Sequence, residues 1–355
     1  MIDFSLSATI FADKMLQWYD HNRRTLPWRE DPTPYHVWVS EIMLQQTQVQ
    51  TMRPFYERFI QALPSIEALA TVEQTKLYKL WEGLGYYSRV DNLRKAAQIV
   101  LADNDGLLPE NYDALLALPG IGPYTAGAIA SIAFGQRVCA VDGNVLRILS
   151  RITGYDQPIN VAKTAKPLQL LAQSLVPAHR PGDFNQSLMD LGASVCRSNG
   201  APHCKQCPVH TYCKAYLQQL TGLLPVKKQK KARSIEKYTI VILISNQKVW
   251  ITQRPKGQLL AGLWEFKCYP DFLSQKHLLT LLAEQKLYPS SILEIGATKH
   301  IFTHKEWHMQ GWLVSLEQPT TIDEGKWVDI PELQTTYPMA SALSFYRSLL
   351  FEHFL

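Results

Sequence analysis

No stretch of this sequence approaches the roughly 20 consecutive apolar residues that a membrane-spanning helix requires. The first residues include Asp3 and Asp13, and so lack the uninterrupted apolar segment of a secretory signal peptide. Charged residues are also sparse, at 19% of 355 residues, while the apolar share of 46% is ordinary. These features exclude a disordered chain and predict a folded cytoplasmic protein that does not associate with membranes.

Cysteine is scarce and unevenly distributed. Cys139 and Cys268 are isolated, and the other four of the six cysteines are clustered. The clustered residues follow the pattern Cys196-x7-Cys204-x2-Cys207-x5-Cys213. In a reducing compartment such clustering indicates a metal site, and four thiolates can bind either zinc or a [4Fe–4S] cluster. The single close pair favours iron–sulfur over zinc but leaves both open.

The periodicity of apolar residues changes along the chain. Up to about residue 220 they recur at spacings of three and four, which predicts helices. A polar, basic segment then predicts a linker, and the segments beyond it alternate as strands do around one helix, FLSQKHLLTLLAEQKL. We therefore predict an all-α region over 1–221, a basic linker over 222–237 and an α+β domain over 238–355. The net charge of +5 suits a polyanionic partner without establishing one.

The segment PYHVWVSEIMLQQTQVQTM, from Pro34 to Met52, is predicted to be one helix. Glu41 is its only formally charged residue if His36 is neutral. Glu41 shares a helix face with apolar neighbours, and an apolar environment raises the pKa of a carboxyl group towards that of a general acid. The alternative is a solvent-facing glutamate on an amphipathic helix.

Asp142 directly precedes the apolar helical pattern of GNVLRILSRITG. It is predicted to cap that helix, where backbone amides and the helix dipole lower the pKa of a carboxyl group. Asp142 would then stay ionised while Glu41 keeps its proton. Two carboxyl groups whose pKa values differ in this way suit glycosidic bond hydrolysis through a cationic transition state.

The stretch LPGIGPYTAGAIA combines a tight turn with the start of a helix. Gly120 and Gly122 permit close approach of another molecule, and the amides that open the second helix can bind a phosphate. Such a phosphate contact needs no side-chain contacts to bases, so it suits sequence-independent binding to DNA. A purely structural helical hairpin is the alternative.

The hairpin, Asp142 and the four clustered cysteines together resemble the helix–hairpin–helix DNA glycosylases related to endonuclease III. Further motifs are similar to those of the MutY-type adenine DNA glycosylases: LPWR, WVSEIMLQQTQV, GLGYYSR, VDGNV and FNQSLMDLGASVC. The resemblance covers nearly the whole chain. It implies a six-helix module over about 27–134, an iron–sulfur cluster module formed by 1–26 and 135–221, and a Nudix-like domain over 238–355.

The resemblance implies an enzyme that flips adenine out of double-stranded DNA opposite 8-oxoguanine or G and hydrolyses its N-glycosidic bond. Glu41 would protonate the base and then assist the attack of water, and Asp142 would stabilise the sugar cation. Tyr124 and Asn144 would orient these carboxyl groups. The remaining implied residues are Arg24, Trp28, Arg29 and Gln186 in the adenine pocket; Gln46, Tyr86, Gly120 and Gly122 at the DNA; and Cys196, Cys204, Cys207 and Cys213 around one [4Fe–4S] cluster.

The C-terminal domain resembles the Nudix-like lesion-recognition domain of the same family, best in QRPKGQLLAGLWEF. The segment HLLTLLAEQKL carries a single glutamate, Glu284, and so lacks the glutamate-rich metal box of Nudix hydrolases. Phe302, Thr303 and His304 match the loop that probes 8-oxoguanine, with threonine where serine commonly stands. The first cysteine loop has seven residues where the family usually has six.

Three other functions share parts of this pattern. A bifunctional glycosylase/lyase of the endonuclease III type, acting on oxidised pyrimidines, requires a lysine at the position of Tyr124. Retention of both Glu41 and Asp142 argues against a catalytically silent DNA-binding scaffold, and the missing metal box argues against nucleotide hydrolysis. We expect a monomer that is cytoplasmic and nucleoid-associated.

Overall fold

A computed structural model describes residue 4 and residues 6–229, 232–320, 322 and 324–354. The chain forms two compact units, one of residues 1–71 with 91–230 and the other of residues 72–90 with 231–355. Lys230 and Lys231 of the predicted basic linker lie outside the described residues. The domain boundaries expected from the sequence remain a prediction.

The first unit is helical, as the apolar periodicity predicts. Its core includes side chains from the N-terminal helix and from the helices that follow the hairpin, such as Phe11, Leu149 and Phe184, all fully buried. Its helices are α1 (Ala8–Asn22), α2 (Pro27–Glu30), α3 (Pro34–Leu44), α4 (Val49–Ala62), α5 (Ile66–Thr71), α7 (Ser88–Asp103, which begins in the second unit), α8 (Tyr112–Leu116), α9 (Pro123–Ile132), α10 (Gly143–Thr153), α11 (Ala162–Leu175), α12 (Pro181–Ser194) and α13 (Lys214–Leu217).

The prediction of one continuous helix from Pro34 to Met52 is wrong. The structure ends α3 at Leu44 and begins α4 at Val49, with Gln46 between them at a φ of 60°. A non-glycine residue in this left-handed region interrupts the helical hydrogen-bond pattern and is uncommon. The apolar pattern continues across the break, which is why periodicity alone did not reveal it.

The turn between α8 and α9 is tight at Gly120, whose φ is 78°. A Cβ atom there would lie 2.7 Å from the Cβ of Asn92, so this position needs glycine on two grounds. Gly122 is the N-cap of α9, and no side chain caps the helix at that residue. The first amides of α9 are therefore left for partners other than a capping side chain.

Helix α12 approaches α9 closely at Gly182. A Cβ atom on Gly182 would lie 2.7 Å from both the Cα of Ile132 and the backbone oxygen of Ser131. Because these neighbours are backbone atoms, they cannot turn away as a flexible side chain would. The small residue sets the distance between two helices that carry predicted site residues.

We expect Gly182→Ala to destabilise the protein by about 1–3 kcal/mol, because the added methyl group overpacks a backbone contact. Gly222→Ala is the matched control, since a Cβ atom there meets no atom within 4 Å. Thermal unfolding of both variants checks this. If Gly182→Ala and Gly222→Ala had the same melting temperature, the contact between α9 and α12 would tolerate the added methyl group, which would contradict this prediction.

The second unit contains a mixed β-sheet with helices. The strands lie in the order β3-β2-β1-β6-β5, and β4 also pairs with β1 and β7 with β2. β1 and β6 pair in parallel, whereas β5 and β6 form an antiparallel hairpin. The strands are β1 (Ser234–Ser245), β2 (Lys248–Gln253), β3 (Trp264–Glu265), β4 (Lys267–Pro270), β5 (Ser291–Ile301), β6 (Lys305–Ser315) and β7 (Gly325–Asp329), and the helices are α6 (Gln74–Trp81), α14 (Gln275–Glu284), α15 (Ile330–Thr335) and α16 (Ser344–Phe354).

The fold class predicted from the sequence, an all-α region and a C-terminal α+β domain, is confirmed. The predicted strand pair around Ser245–Asn246 is β1 and β2, and the predicted helix near Leu278 is α14. Within the described ranges, every helix is too short or too polar to cross a bilayer.

Candidate active site

A cavity of about 600 Å³ in the first unit brings together residues that are far apart in the sequence. Its lining includes all eight residues predicted for catalysis and for the base pocket, and these come from α2, α3, α9, α10 and α12 and from the loop after α1. They are Arg24, Trp28, Arg29, Glu41, Tyr124, Asp142, Asn144 and Gln186.

Glu41 on α3 is buried, with 4% of its surface exposed. Burial raises the pKa of its carboxyl group to about 7, although a hydrogen bond from Tyr124 and the positive charge of Arg29 act in the opposite direction. The Tyr124 hydroxyl donates to Oε2 of Glu41 at 2.8 Å. The structure confirms the prediction that Glu41 lies in a largely apolar environment. The alternative, a solvent-facing side chain, is wrong.

Tyr124 itself stays protonated. Burial and the neighbouring carboxyl groups of Glu41 and Asp142 raise the pKa of its phenol well above the ordinary value. The hydroxyl also lies 3.7 Å from the Sδ atom of Met189. Tyr124 is therefore a fixed hydrogen-bond donor to Glu41, at the second residue of α9.

Asp142 caps α10, as the sequence predicts. Its Oδ1 atom accepts hydrogen bonds from the backbone amides of Asn144, at 2.8 Å, and Val145, at 2.9 Å. Its Oδ2 atom accepts one from Nδ2 of Asn144 at 2.5 Å. Arg147 in turn donates to the Asn144 side chain at 2.8 Å, which fixes the amide that contacts Asp142.

The expectation that the pKa of Asp142 is lowered is wrong. Burial in the cavity wall outweighs the hydrogen bonds from Val145 and Asn144, and the pKa of Asp142 is raised above its ordinary value. Helix capping predicts the contacts correctly, but the sequence does not show how far the cap is removed from solvent.

The pocket wall also contains Trp28, Arg24 and Arg29. Trp28 is buried, with its ring edge-on to Tyr56 at 5.1 Å between centroids. The two arginines both contact Asp190 on α12, which is 2% exposed and which the sequence reading missed. A lone charge in the largely apolar stretch LMDLGA is the same signal that identified Glu41, and it could have identified Asp190.

The four clustered cysteines also come together in the first unit. They line one small cavity, along with apolar side chains that include Ile148 and Leu191. Arg151 donates a hydrogen bond to the Sγ atom of Cys196 at 3.3 Å. In the part of the chain that the structure describes, no group of three or more His, Cys, Asp or Glu side chains has the geometry of a single metal ion site.

In the second unit, Phe302, Thr303 and His304 form the turn between β5 and β6. The hydroxyl groups of Thr303 and Tyr86 are hydrogen-bonded, and Tyr86 is 45% exposed. The ring of Phe302 packs edge-on against Trp307 at 5.0 Å.

Glu236 on β1 fixes the strand that follows this turn, and the sequence reading did not single it out. Its carboxylate accepts hydrogen bonds from Nζ of Lys305 at 2.5 Å and from Nε1 of Trp307 at 2.9 Å. The Lys305 contact is the largest of the causes that hold the pKa of Glu236 below its ordinary value.

Comparison with known proteins bears on both units. Residues 39–176 match the HhH-GPD superfamily base excision DNA repair protein family, and residues 239–345 match the NUDIX domain family. An adenine DNA glycosylase of Buchnera aphidicola subsp. Baizongia pistaciae is 36% identical over 301 residues, which is 84% of each chain. The chain belongs to the adenine DNA glycosylase family.

Mammalian members of the adenine DNA glycosylase family are similarly related. The Mus musculus protein is 35% identical over 88% of this chain and 72% of its own length, and the Homo sapiens protein is 34% identical over 92% and 72%. A solved thermostable thymine-DNA glycosylase superposes with a TM-score of 0.55 at 31% identity, over 59% of this chain and 97% of its own. An endonuclease III–DNA complex shares the fold, with a TM-score of 0.51 at 20% identity over 61% and 99%.

The raised pKa of Glu41 has a consequence for stability. Its pKa is about 7 in the folded protein and 4.5 in its ordinary state, so between these values the folded state binds more protons than the unfolded state. Stability from this group is therefore complete below about pH 4.5 and is lost as the pH rises through about 7. The difference corresponds to about 3 kcal/mol at most.

We expect Glu41→Gln, which cannot ionise, to melt at a progressively higher temperature than wild type as the pH is raised from 5 to 8. Glu110→Gln, at an exposed position, should show a constant difference from wild type. Thermal unfolding across this pH range measures both. A Glu41→Gln difference that does not change with pH would contradict the raised pKa.

Proposed function

We propose that the protein is a monofunctional glycosylase that hydrolyses the N-glycosidic bond of adenine opposite 8-oxoguanine or G in duplex DNA. One observation carries the proposal: Glu41, with a pKa of about 7, and Asp142 line the same cavity. Family membership, the fold of the first unit and the names of the curated relatives support it. We further propose a cytoplasmic, nucleoid-associated monomer.

In this proposal Glu41 is the general acid. A carboxyl group with a pKa near 7 is partly protonated at neutral pH, so it can donate a proton to the departing base. Once ionised, it can orient or activate the attacking water. Tyr124 holds Oε2 of Glu41 through its 2.8 Å hydrogen bond, which fixes the direction in which the carboxyl group points.

Asp142 stabilises the positive charge that develops on the sugar. Three hydrogen-bond donors, two of them backbone amides, contact its carboxyl oxygens and fix its orientation, and each of them favours the ionised form against the opposing effect of burial. Asn144 and Arg147 support this position as a chain of contacts. Asp142 and Glu41 thus take different roles because they have different hydrogen-bond partners.

The proposal of a monofunctional enzyme depends on Tyr124. A lyase needs an amine close to the sugar to form a Schiff base, and the phenol of Tyr124 cannot form an imine. Water is then the nucleophile, and the product is an abasic site in an unbroken strand.

Gln46 and Tyr86 are proposed to wedge into the base stack beside the lesion. Their φ angles of 60° and 49° are unusual for residues other than glycine. Such conformations concentrate at functional sites, where they direct a side chain away from the regular backbone. The hairpin at Gly120 and Gly122 is proposed to bind a DNA phosphate through the amides that open α9.

We propose that Cys196, Cys204, Cys207 and Cys213 bind one [4Fe–4S] cluster. All four side chains line one small cavity with apolar walls, and Arg151 places a positive charge beside the Sγ atom of Cys196, where it would balance part of the negative charge of a thiolate-bound cluster. The cluster would connect and stiffen the loops of this region. Base hydrolysis requires no redox step.

The turn of Phe302, Thr303 and His304 is proposed to contact 8-oxoguanine. The Thr303 hydroxyl is hydrogen-bonded to the hydroxyl of Tyr86. The proposed lesion-contacting turn and Tyr86, one of the two proposed wedge residues, therefore lie together within the second unit. We propose a recognition role alone for this domain, since its helix α14 carries a single acidic residue, Glu284, in place of a glutamate-rich metal box.

The decisive assay supplies purified protein with duplexes that carry A opposite 8-oxoguanine, G or T. Free adenine should appear from the first two, and strand breaks should appear only after alkali or heat. Glu41→Gln should release adenine at least about 100-fold more slowly while binding the lesion duplex, because an amide cannot protonate the base. Glu110→Gln is the control and should match wild type.

Adenine release by Glu41→Gln within tenfold of wild type would contradict the role of Glu41. Strand breakage by wild type at the rate of adenine release would contradict the monofunctional mechanism. It would favour the lyase alternative.

The protein purified without oxygen should be brown and contain about four iron atoms per chain. Cys204→Ser should reduce the iron content, whereas Cys268→Ser, outside the cluster, should retain it. Elemental analysis and the visible absorption spectrum measure this. One zinc per chain without iron would refute the proposed cofactor.

We expect Thr303→Val to reduce the preference for A opposite 8-oxoguanine over A opposite G by about three- to tenfold, because it keeps the shape and removes one hydrogen bond. Thr303→Ser keeps the hydroxyl and should retain the preference. Single-turnover rates on the two duplexes give the ratio. An unchanged ratio for Thr303→Val would remove the hydroxyl from lesion recognition.

A further inference from the structure

Asp190 on α12 is the common partner of two arginines in the pocket wall. Arg29 donates two hydrogen bonds to it, from Nη1 to Oδ2 at 2.7 Å and from Nη2 to Oδ1 at 3.0 Å. Arg24 contacts the same Oδ1 atom with Nε at 2.7 Å and Nη2 at 2.5 Å. A single carboxylate that is 2% exposed therefore fixes two cations.

The arginines need such a partner to stay where they are. Their side chains are 35% and 11% exposed for Arg24 and Arg29, and two guanidinium groups this close repel each other. The paired hydrogen bonds from Arg29 also fix the plane of its guanidinium group, which lies 5.7 Å from the ring of Tyr19. Both arginines line the cavity, but Asp190 is not part of its lining.

We infer that Asp190 is a positioning residue for base release, which holds Arg24 and Arg29 in the pocket wall and balances one of their two positive charges beside Glu41. The inference rests on the proposed function. In this role Asp190 acts through the two arginines and touches neither the base nor the sugar.

Among the residues that the structure describes, the titratable or charged groups that act on Glu41 are Tyr124 from α9, Arg29 from α2 and Asp142 at the start of α10. The positive charge of Arg29 opposes the effect of burial on the pKa of Glu41. Replacing the carboxylate of Asp190 by an amide leaves that charge less well balanced. The field at Glu41 then favours ionisation more strongly, and the pH at which Glu41 loses its proton falls.

The test is the pH dependence of single-turnover adenine release by full-length Asp190→Asn. We expect a rate about 10- to 100-fold below wild type at neutral pH, because small displacements of pocket groups have effects of this size. We also expect the midpoint of the descending limb to move to lower pH. Asp190→Glu, which keeps the charge, should keep the wild-type midpoint even if its rate is reduced.

Asp20→Asn is the matched control. Asp20 pairs with Arg180 at 2.5 Å in an exposed contact of the same unit, so this variant also removes a carboxylate from an arginine. It should match wild type in both rate and midpoint. If Asp20→Asn and Asp190→Asn moved the midpoint of the descending limb by the same amount, the cause would be a general effect of net charge, and the inference would be overturned.

The variant with Arg24→Gln and Arg29→Gln separates positioning from direct action. If Asp190 acts through the arginines, adding Asp190→Asn to this pair should change the rate by less than about threefold. A further large loss would overturn the inference. Should Asp190→Asn alone fail to fold, the triple variant should restore folding, and its failure to do so would assign Asp190 a purely structural role.

The ionisation of Glu41 can also be followed without substrate, from the pH dependence of the difference in melting temperature between proteins with Glu41 and with Gln at that position. Its midpoint should move to lower pH in the Asp190→Asn background. If wild type released no adenine, the proposed function would be overturned. The pH dependence of the difference in melting temperature would still test the effect of Asp190 on Glu41. An active wild type with an unshifted midpoint in Asp190→Asn would overturn the inference alone.

Discussion

The removal of Glu41 from water is the constraint on which the first unit depends. An isolated carboxyl group in a buried position resists ionisation, and here burial raises its pKa to about 7 against two opposing influences. Tyr124 supplies one of them as a hydrogen-bond donor, and Arg29 supplies the other as a positive charge. The balance among these groups keeps Glu41 near the midpoint of its titration at neutral pH, where it can both give and accept a proton.

That balance requires the helices around the cavity to hold fixed distances. Glu41 lies on α3, Tyr124 on α9 and Asp142 at the N-cap of α10, and two glycines let α9 approach neighbouring backbone closely. A Cβ atom on Gly127 of α9 would lie 2.7 Å from the backbone oxygen of Cys139, and Gly182 of α12 is equally close to α9. A larger residue at Gly127 would therefore move α9, which carries Tyr124, away from the segment that leads to Asp142.

The sequence predicted what depends on local pattern. A lone charge in an apolar helix indicated Glu41, and an aspartate before a helical pattern indicated the cap at Asp142. What depends on the surroundings was missed or wrong: the break at Gln46 inside a continuous apolar pattern, and the depth at which Asp142 is buried. Asp190 was missed although its sequence context resembles that of Glu41, because its partners, Arg24 and Arg29, lie more than 160 residues away.

Hydrogen-bond donors, more than burial, distinguish the two carboxyl groups of the site. Burial raises the pKa of both, so it cannot by itself assign one as acid and the other as anion. Asp142 has three donors aimed at its oxygens, while Glu41 is held by the Tyr124 hydroxyl. Each donor favours the ionised form of the group that it contacts, so the hydrogen bonds oppose the effect of burial at more points on Asp142 than on Glu41. Two of the donors to Asp142 are amides of the helix that it caps, so this difference between the two carboxyl groups is built into the backbone of α10.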